Sequence, residues 1–276
     1  MKRKVEVLVI SDIHLGTYGS KALSLLDYLD TIEPQIVVLN GDIIDGWQFS
    51  KKYFPASHIE VVKKVLDWVS KGVELYYITG NHDEMMRKFV GFGVSNAKIV
   101  NKVVLSLDGK RVCIFHGDIF DITMRHSKWV AKVGSNGYGF LIMFNKAINY
   151  ILKKTGKRQI SLSKQIKDSV KSVIKSKGNF ENKVAKIALQ NGYDYMICGH
   201  IHHPIIKDIE VENQKIGYLN SGDWVENMTA LEYNDKKWTL YAHKIDENLT
   251  KEDLRVISEK TMTNQYLFKE LLKEFE

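Results

Sequence analysis

Five short segments of the chain are dense in Asp, His and Asn, whose side chains bind divalent cations. They are Asp12-Ile-His14, Gly41-Asp42-Ile-Ile-Asp45, Gly80-Asn81-His82-Asp83, His116-Gly117-Asp118 and Gly199-His200-Ile-His202. Mixed imidazole and carboxylate ligands favour a borderline ion such as Mn, Fe or Zn over Mg or Ca. A carboxylate shared by two ions about 3.5–4 Å apart is the usual arrangement for hydrolysing phosphate esters. The residue types therefore indicate phosphate-ester or pyrophosphate hydrolysis with two metal ions.

Each of these segments follows a short apolar run of the kind that forms a β-strand. The runs are Val5–Ile10, Ile36–Leu39, Glu74–Ile78, Arg111–Phe115 and Asp194–Cys198. Ligands of open α/β sheets bind outside the carboxyl ends of the strands, so we expect the five segments to converge there. One Asp-x-His alone would more often be an ordinary surface loop. Apolar spacing typical of a helix at 58–70 and a hairpin signal at Asp108-Gly109 support an α/β fold.

The ordered set of segments resembles the motifs of the calcineurin-like metallophosphoesterases, over about Val5 to Ala242. The resemblance implies a β-sandwich flanked by helices (αββα), here with a helical insertion. It also implies ligands for two divalent metal ions, which we expect to be Mn2+, with Fe and Zn as alternatives. The first ion would take Asp12, His14, Asp42 and His202, and the second Asp42, Asn81, His116 and His200, so that Asp42 bridges them.

The same resemblance implies a catalytic role for His82, which in the family faces the phosphate and protonates or stabilises the leaving oxygen. We expect Asp83 to hold its imidazole in the useful tautomer. Asp45 and Asp118 would either orient the histidine ligands or only cap turns.

A basic segment separates the fourth and fifth motifs. Ile122–Lys183 carries fourteen Lys or Arg against two acids, while the whole chain has a net charge of +7. Its pattern is helical, with dense apolar residues at Tyr138–Leu152 and a lysine stripe at Leu162–Ser176. We expect a domain at 1–245 with a helical cap at about 122–183, and a helical tail at 246–276. The basic charge favours an anionic partner, the alternative being a well-solvated surface.

Three features resemble the branch of the family that contains UDP-2,3-diacylglucosamine diphosphatase. They are Ser11-Asp-Ile-His-Leu15, the His116-Gly-Asp118 motif that leads into the insertion, and Asn220-Ser-Gly-Asp-Trp224. This implies cleavage of a nucleotide-linked diacylated sugar to UMP and a lipid monophosphate, a step of lipid A biosynthesis. Acyl chains would lie against the apolar part of the insertion. The alternative is that these apolar residues only pack the insertion helices together. Arg125, Lys164 and Lys167 are the expected substrate contacts, and His82 departs from the Arg of the best-known members.

Two other functions fit parts of the pattern. The first is a nuclease or other phosphodiesterase that binds nucleic acid on the basic insertion. The second is a binding scaffold without catalysis, but every ligand position is filled here. Without a visible signal peptide or a long apolar stretch, we expect a cytoplasmic protein at the inner face of the plasma membrane, with no nucleic-acid partner. Cys113 and Cys198 are expected to be buried, reduced thiols.

Overall fold

A computed structural model describes residues 2–48, 53–120 and 180–244. The chain consists of two compact units. The first is Met1–Asp118 with Val184–Glu276, and the second is Ile119–Lys183. The second unit lies almost wholly outside the described residues. The predicted insertion helices and C-terminal tail, with Arg125, Lys164 and Lys167, therefore lie outside the described residues and stay predictions.

The described residues form two β-sheets and a small number of helices. The strands are β1 (Arg3–Ile10), β2 (Ile32–Asn40), β3 (Glu74–Ile78), β4 (Gly93–Val94), β5 (Ala97–Val100), β6 (Val103–Leu107), β7 (Lys110–Ile114), β8 (Tyr195–Cys198), β9 (Ile205–Val211), β10 (Gln214–Asn220), β11 (Thr229–Asn234) and β12 (Lys237–Ala242). The helices are α1 (Ala22–Leu29), α2 (Ala56–Ser70), a 3-10 helix (Glu84–Phe89) and α3, described over 180–191.

The first sheet has the strand order β12-β11-β1-β2-β3-β5-β4. Strand β1 runs parallel to β2, with Val7 opposite Ile36, and β2 runs parallel to β3, with Ile36 opposite Glu74. The carboxyl ends of these three strands therefore lie at the same edge of the sheet, followed by the first three motifs.

The second sheet has the order β6-β7-β8-β10-β9. Strand β7 is parallel to β8, with Ile114 opposite Ile197, and β8 is parallel to β10. The carboxyl ends of β7 and β8, followed by the fourth and fifth motifs, therefore lie together as well. The expected hairpin joins β6 to β7, with Asp108 and Gly109 both at positive φ.

Alternation along β1 explains how the layers stack. Leu8 and Ile10 point into a cluster that includes side chains of α1 and α2, whereas Val7 and Val9 point into a cluster built by both sheets. Each fully buried aliphatic side chain stabilises the fold by about 1.5–3 kcal/mol. The predicted α/β sandwich with helices outside is confirmed.

Most predicted strands agree with the structure to within a few residues, and Cys113 and Cys198 are buried free thiols as expected. The 3-10 helix and the short strands β4 and β5 at one end of the first sheet were not predicted, because segments of two to six residues carry too little periodicity. None of the helices in the described ranges has the length and hydropathy needed to span a bilayer.

Candidate metal centre

The loops that follow the strand ends are joined in two pairs by hydrogen bonds between their main chains. Asp12 N donates to Gly41 O at 3.0 Å, and His14 N donates to Asp42 O at 3.0 Å, which joins the first two motifs. Gly199 N donates to the carbonyl of His116 at 3.0 Å, which joins the last two. These bonds fix where each side chain starts before any ion binds.

Six of the seven predicted ligands lie in two groups of three. Asp12, His14 and His202 form one, here named the Asp12 group, and Asp42, His116 and His200 form the other, the His116 group. Within each group one potential ligand atom per residue lies within 4.8 Å of the others. The groups adjoin, because His200 N donates to Oδ2 of Asp12 at 3.0 Å. The predicted convergence of these motifs is therefore seen.

The backbone is strained at these positions. Five of the six residues adopt a left-handed φ between 48° and 65°, namely Asp12, His14, Asp42, His200 and His202. For a residue with a Cβ this conformation costs on the order of 1–2 kcal/mol. Such conformations persist only where the surrounding structure enforces them, and they concentrate at functional sites. Here they turn ligand side chains from separate loops toward one centre.

Two glycines of the motifs serve close approach. A Cβ on Gly199 would lie 2.6 Å from Oδ2 of Asp12, and one on Gly80 would lie 2.6 Å from the main-chain nitrogen of Asp42. Both distances are far below a van der Waals contact. The side chains of the two aspartates can therefore reach the centre only because glycine faces them.

Hydrogen bonds select the nitrogen that each histidine presents. Nδ1 of His116 donates to the carbonyl of Asn40 at 2.8 Å, and Nδ1 of His14 donates to Oδ2 of Asp45 at 3.1 Å. A carbonyl or carboxylate can only accept, so Nδ1 carries the proton in both rings. Nε2 is then the ligand atom, the usual arrangement of metal-binding histidines.

The centre buries negative charge. Asp12, Asp42 and Asp45 are each at most 2% exposed. Burial alone would raise the pKa of Asp12, but the charge of nearby histidines, His202 first, lowers it below its usual range. Burial would lower the pKa of His116, but the charge of Asp42 raises it to about 10. Buried carboxylates thus hold protons on the imidazoles, and a divalent cation would take the place of those protons.

Orphaned polar atoms test whether the residues fit a metal. Oδ1 of Asp12, Oδ1 of Asn81 and Nε2 of His116 are buried and make no hydrogen bond of good geometry within the described part of the chain, although Oδ1 of Asp12 lies 3.1 Å from Nε2 of His202. Nε2 of His116 lies 3.3 Å from Oδ2 of Asp42. Buried polar atoms ordinarily have a partner, and buried carboxylates are paired or bind metal. All three atoms belong to predicted ligands, so the donor set fits divalent cations.

His82 lies beside the Asp12 group, but Asp83 does not hold it, and that prediction is wrong. Nδ1 of His82 donates instead to Oδ2 of Asp45 at 2.8 Å. Asp83 turns away: its Oδ1 accepts from Gly80 N at 2.6 Å, and its Oδ2 accepts from the hydroxyl of Tyr77 at 2.6 Å. Asp83 therefore shapes the loop that carries His82, and among the described contacts it is Asp45 that holds the imidazole.

The two other aspartates behave differently from each other. Asp45 orients His14, as one expectation had it, and its Oδ1 also caps a turn by accepting from Gln48 N at 2.8 Å. Asp118 pairs with the guanidinium of Arg87. Among the described contacts, Asp118 acts on His116 only through its charge, which adds to the rise in the pKa of that imidazole.

Two residues support the loops of the centre through contacts that the sequence did not predict. Buried His58 accepts a hydrogen bond from Gly16 N through Nδ1 at 2.9 Å and so supports the loop after His14. Asn220 donates to the carbonyl of Gly199 at 2.7 Å and steadies the last motif. The signal for Asn220 was its place in the Asn220–Trp224 motif, whereas a lone histidine gives no such signal.

The chain is similar to several known proteins. The chain is 24% identical to a UDP-2,3-diacylglucosamine hydrolase of Aliivibrio fischeri, covering 85% of this chain and 97% of that protein. It is 26% identical to the hydrolase of the same name from Blochmanniella pennsylvanica, covering 84% and 93%. A solved Vps29 mutant from Entamoeba histolytica is 17% identical, with a TM-score of 0.42 over 86% of this chain and 90% of that one. The family model described as calcineurin-like phosphoesterase matches residues 5–204, and the chain therefore belongs to that family of metal-dependent hydrolases.

Proposed function

We propose that the protein hydrolyses the pyrophosphate of UDP-2,3-diacylglucosamine, releasing UMP and 2,3-diacylglucosamine 1-phosphate for lipid A biosynthesis. The observation that carries hydrolysis is the pair of adjoining donor groups at the strand ends. The substrate rests on relatives named UDP-2,3-diacylglucosamine hydrolase, which align over most of their own length and most of this chain. Because that substrate is a lipid, we place the protein at the inner face of the plasma membrane.

The proposed metal assignment follows the two groups. The Asp12 group, with Asp42, would hold one ion, and the His116 group, with Asn81, would hold the other. Asp42 would suit the bridging position, because its Oδ2 lies 3.3 Å from Nε2 of His116 and its charge also helps to raise the pKa of His202 in the Asp12 group. Two bound cations supply an activated water and stabilise charge on the phosphoryl oxygens. The imidazole and carboxylate donors suit Mn2+, with Fe or Zn as alternatives.

His82 is the residue proposed to move the proton. Because Asp45 holds Nδ1–H, the remaining nitrogen, Nε2, is the atom that can carry a proton to the leaving oxygen. Burial would lower the pKa of His82, but its bond to Asp45 and the surrounding carboxylates raise it. A raised pKa favours the protonated imidazole, which is the form required of an acid.

His82 also favours a second candidate function. An Arg in this position is a fixed cation that clamps a pyrophosphate, whereas a His can transfer a proton to an alkoxide leaving group. A phosphodiester, including that of a nucleic acid, leaves such an alkoxide. A phosphodiesterase or nuclease using the same centre is therefore the alternative.

The test is release of UMP from UDP-2,3-diacylglucosamine by Mn-loaded protein. We expect turnover that requires the metal and that is lost in His116→Ala, which serves as the matched inactive control. Bis(p-nitrophenyl) phosphate and single-stranded DNA are assayed in parallel. Faster cleavage of either of them, with no UMP released, would replace the proposed substrate by the alternative. No metal-dependent hydrolysis of any of the three would contradict the proposal as a whole.

A further inference from the structure

The indole of Trp47 covers one face of His82. The ring centroids lie 4.0 Å apart with the planes inclined by 34°. The ring of His14 meets the same imidazole almost perpendicularly, at 4.6 Å and 88°. His82 thus has an aromatic neighbour on its face and a metal-ligand candidate at an angle to it.

The chain brings Trp47 to this place through the carboxylate that also holds His82. Trp47 N donates to Oδ1 of Asp45 at 3.0 Å, while Oδ2 of Asp45 accepts from Nδ1 of His82 at 2.8 Å. Gly46 N donates to the main-chain carbonyl of His82 at 2.8 Å. The position of the indole and that of the imidazole are therefore fixed against each other through both main chain and side chain.

We propose that Trp47 is a positioning residue that fixes the plane of the His82 imidazole at the metal centre. The inference rests on the proposed role of His82 in hydrolysis. The hydrogen bond to Asp45 locates one ring atom, but the terminal torsion of a histidine is broad, so the plane of the ring needs a further constraint. Stacking on the indole supplies that constraint and keeps Nε2 aimed in one direction.

The first experiment compares Trp47→Ala and Trp47→Phe on bis(p-nitrophenyl) phosphate with saturating Mn2+. The interaction free energy of an aromatic pair of this kind corresponds to a change in rate of about three- to tenfold. We expect kcat of Trp47→Ala to fall by that amount, with KM and bound metal unchanged, and Trp47→Phe to recover most of it. Phe92→Ala is the matched control, because Phe92 is a similarly exposed aromatic (58% against 47%) outside the centre.

A double-mutant cycle then shows whether the effect passes through His82. In the His82→Ala background, Trp47→Ala is expected to cause no further loss. An equal loss in both backgrounds would overturn the inference. So would a rise in KM at constant kcat, which would mean that the indole contacts substrate, or a loss of metal, which would mean that it supports the ligands.

A spectroscopic measurement keeps this inference separate from the proposed function. In Zn-loaded protein with 15N-labelled histidine, the Nδ1–H signal of His82 is assigned by its loss in His82→Ala. We expect it to be sharp in the wild type and in Trp47→Phe, and broadened or shifted in Trp47→Ala. An unchanged signal in Trp47→Ala would refute the positioning role, whether or not any tested ester is hydrolysed.

Discussion

The two donor groups differ in how firmly each holds one of its histidines, His116 in one and His202 in the other. His116 is 1% exposed at its side chain, and its Nδ1 is bound to a main-chain carbonyl at the end of β2. His202 is 36% exposed at its side chain, and the carboxylate nearest its Nδ1, that of Asp223, is 3.9 Å away. The same kind of ligand is thus held firmly at His116 and more loosely at His202.

Partners that orient a ligand are worth 10- to 100-fold in metal affinity or activity. The main-chain carbonyl that holds His116 is part of the sheet and cannot turn away. The Asp12 group relies on side chains, among them Asp45, whose carboxylate also serves His82. We therefore predict that an ion bound beside His116 would be held more tightly than one bound beside His202.

The largest expected effect comes from deleting a ligand from each group. His116→Ala should lower kcat by at least about 100-fold and remove one equivalent of metal, because the loss of a ligand exceeds that of its orienting partner. His202→Ala should lose metal as well, but millimolar Mn2+ should restore much of its activity. Metal analysis beside activity measurements at increasing Mn2+ checks both.

Equal responses of the two variants would contradict the proposed difference between His116 and His202. Equal rescue by Mn2+ would mean that burial and orientation do not distinguish the groups. Near-normal turnover in His116→Ala would remove that residue from the centre altogether. The free energy of unfolding of both metal-free variants should be measured, so that a folding defect is not taken for the loss of a ligand.

Much of this centre was accessible from the sequence, for a physical reason. Strands such as Ile36–Leu39 and Glu74–Ile78 are continuous apolar runs because both of their faces are covered. Parallel strands place their carboxyl ends at one edge of the sheet. A polar cluster that follows each run must therefore lie near that edge. The positions of Asp42 and His116 follow from that topology.

The direction of each side chain could not be predicted from the sequence in the same way. Asp83 is adjacent to His82 in sequence, yet its carboxylate caps nearby main-chain amides, including Ile43 N at 3.0 Å. Asp45 reaches His82 from the loop of another strand. Neighbouring positions in a loop say little about which way their side chains point, and Trp47 was missed because its partner lies on a different loop.

The second prediction concerns His82, which lies beside the Asp12 group and shares Asp45 with His14. His82→Ala should lower kcat by roughly 100-fold, the lower range for a general acid, with both metals retained. The loss should be larger for phenyl than for p-nitrophenyl esters, because the poorer leaving group depends more on a proton. Loss of metal in this variant would instead make His82 a ligand, and an equal loss on both esters would contradict proton donation.

The smallest effect is expected at His58, which supports only the Asp12 side. Its pKa is lowered by burial from 6.5 to about 4, so the folded state favours the neutral ring. The unfolded chain binds a proton below pH 6.5 that the folded chain does not bind until about pH 4, so this contribution to stability is lost as pH falls through that window. The shift corresponds to a loss of about 2 kcal/mol in the free energy of unfolding by pH 5.

His58→Asn retains an acceptor for Gly16 N but does not titrate. Between pH 7 and pH 5, the free energy of unfolding in urea should therefore fall less for the metal-free variant than for the metal-free wild type. Other groups titrate equally in both proteins and cancel in the difference. An identical pH dependence would mean that the loop after His14 does not depend on a neutral His58, and that the looser Asp12 group owes nothing to this contact.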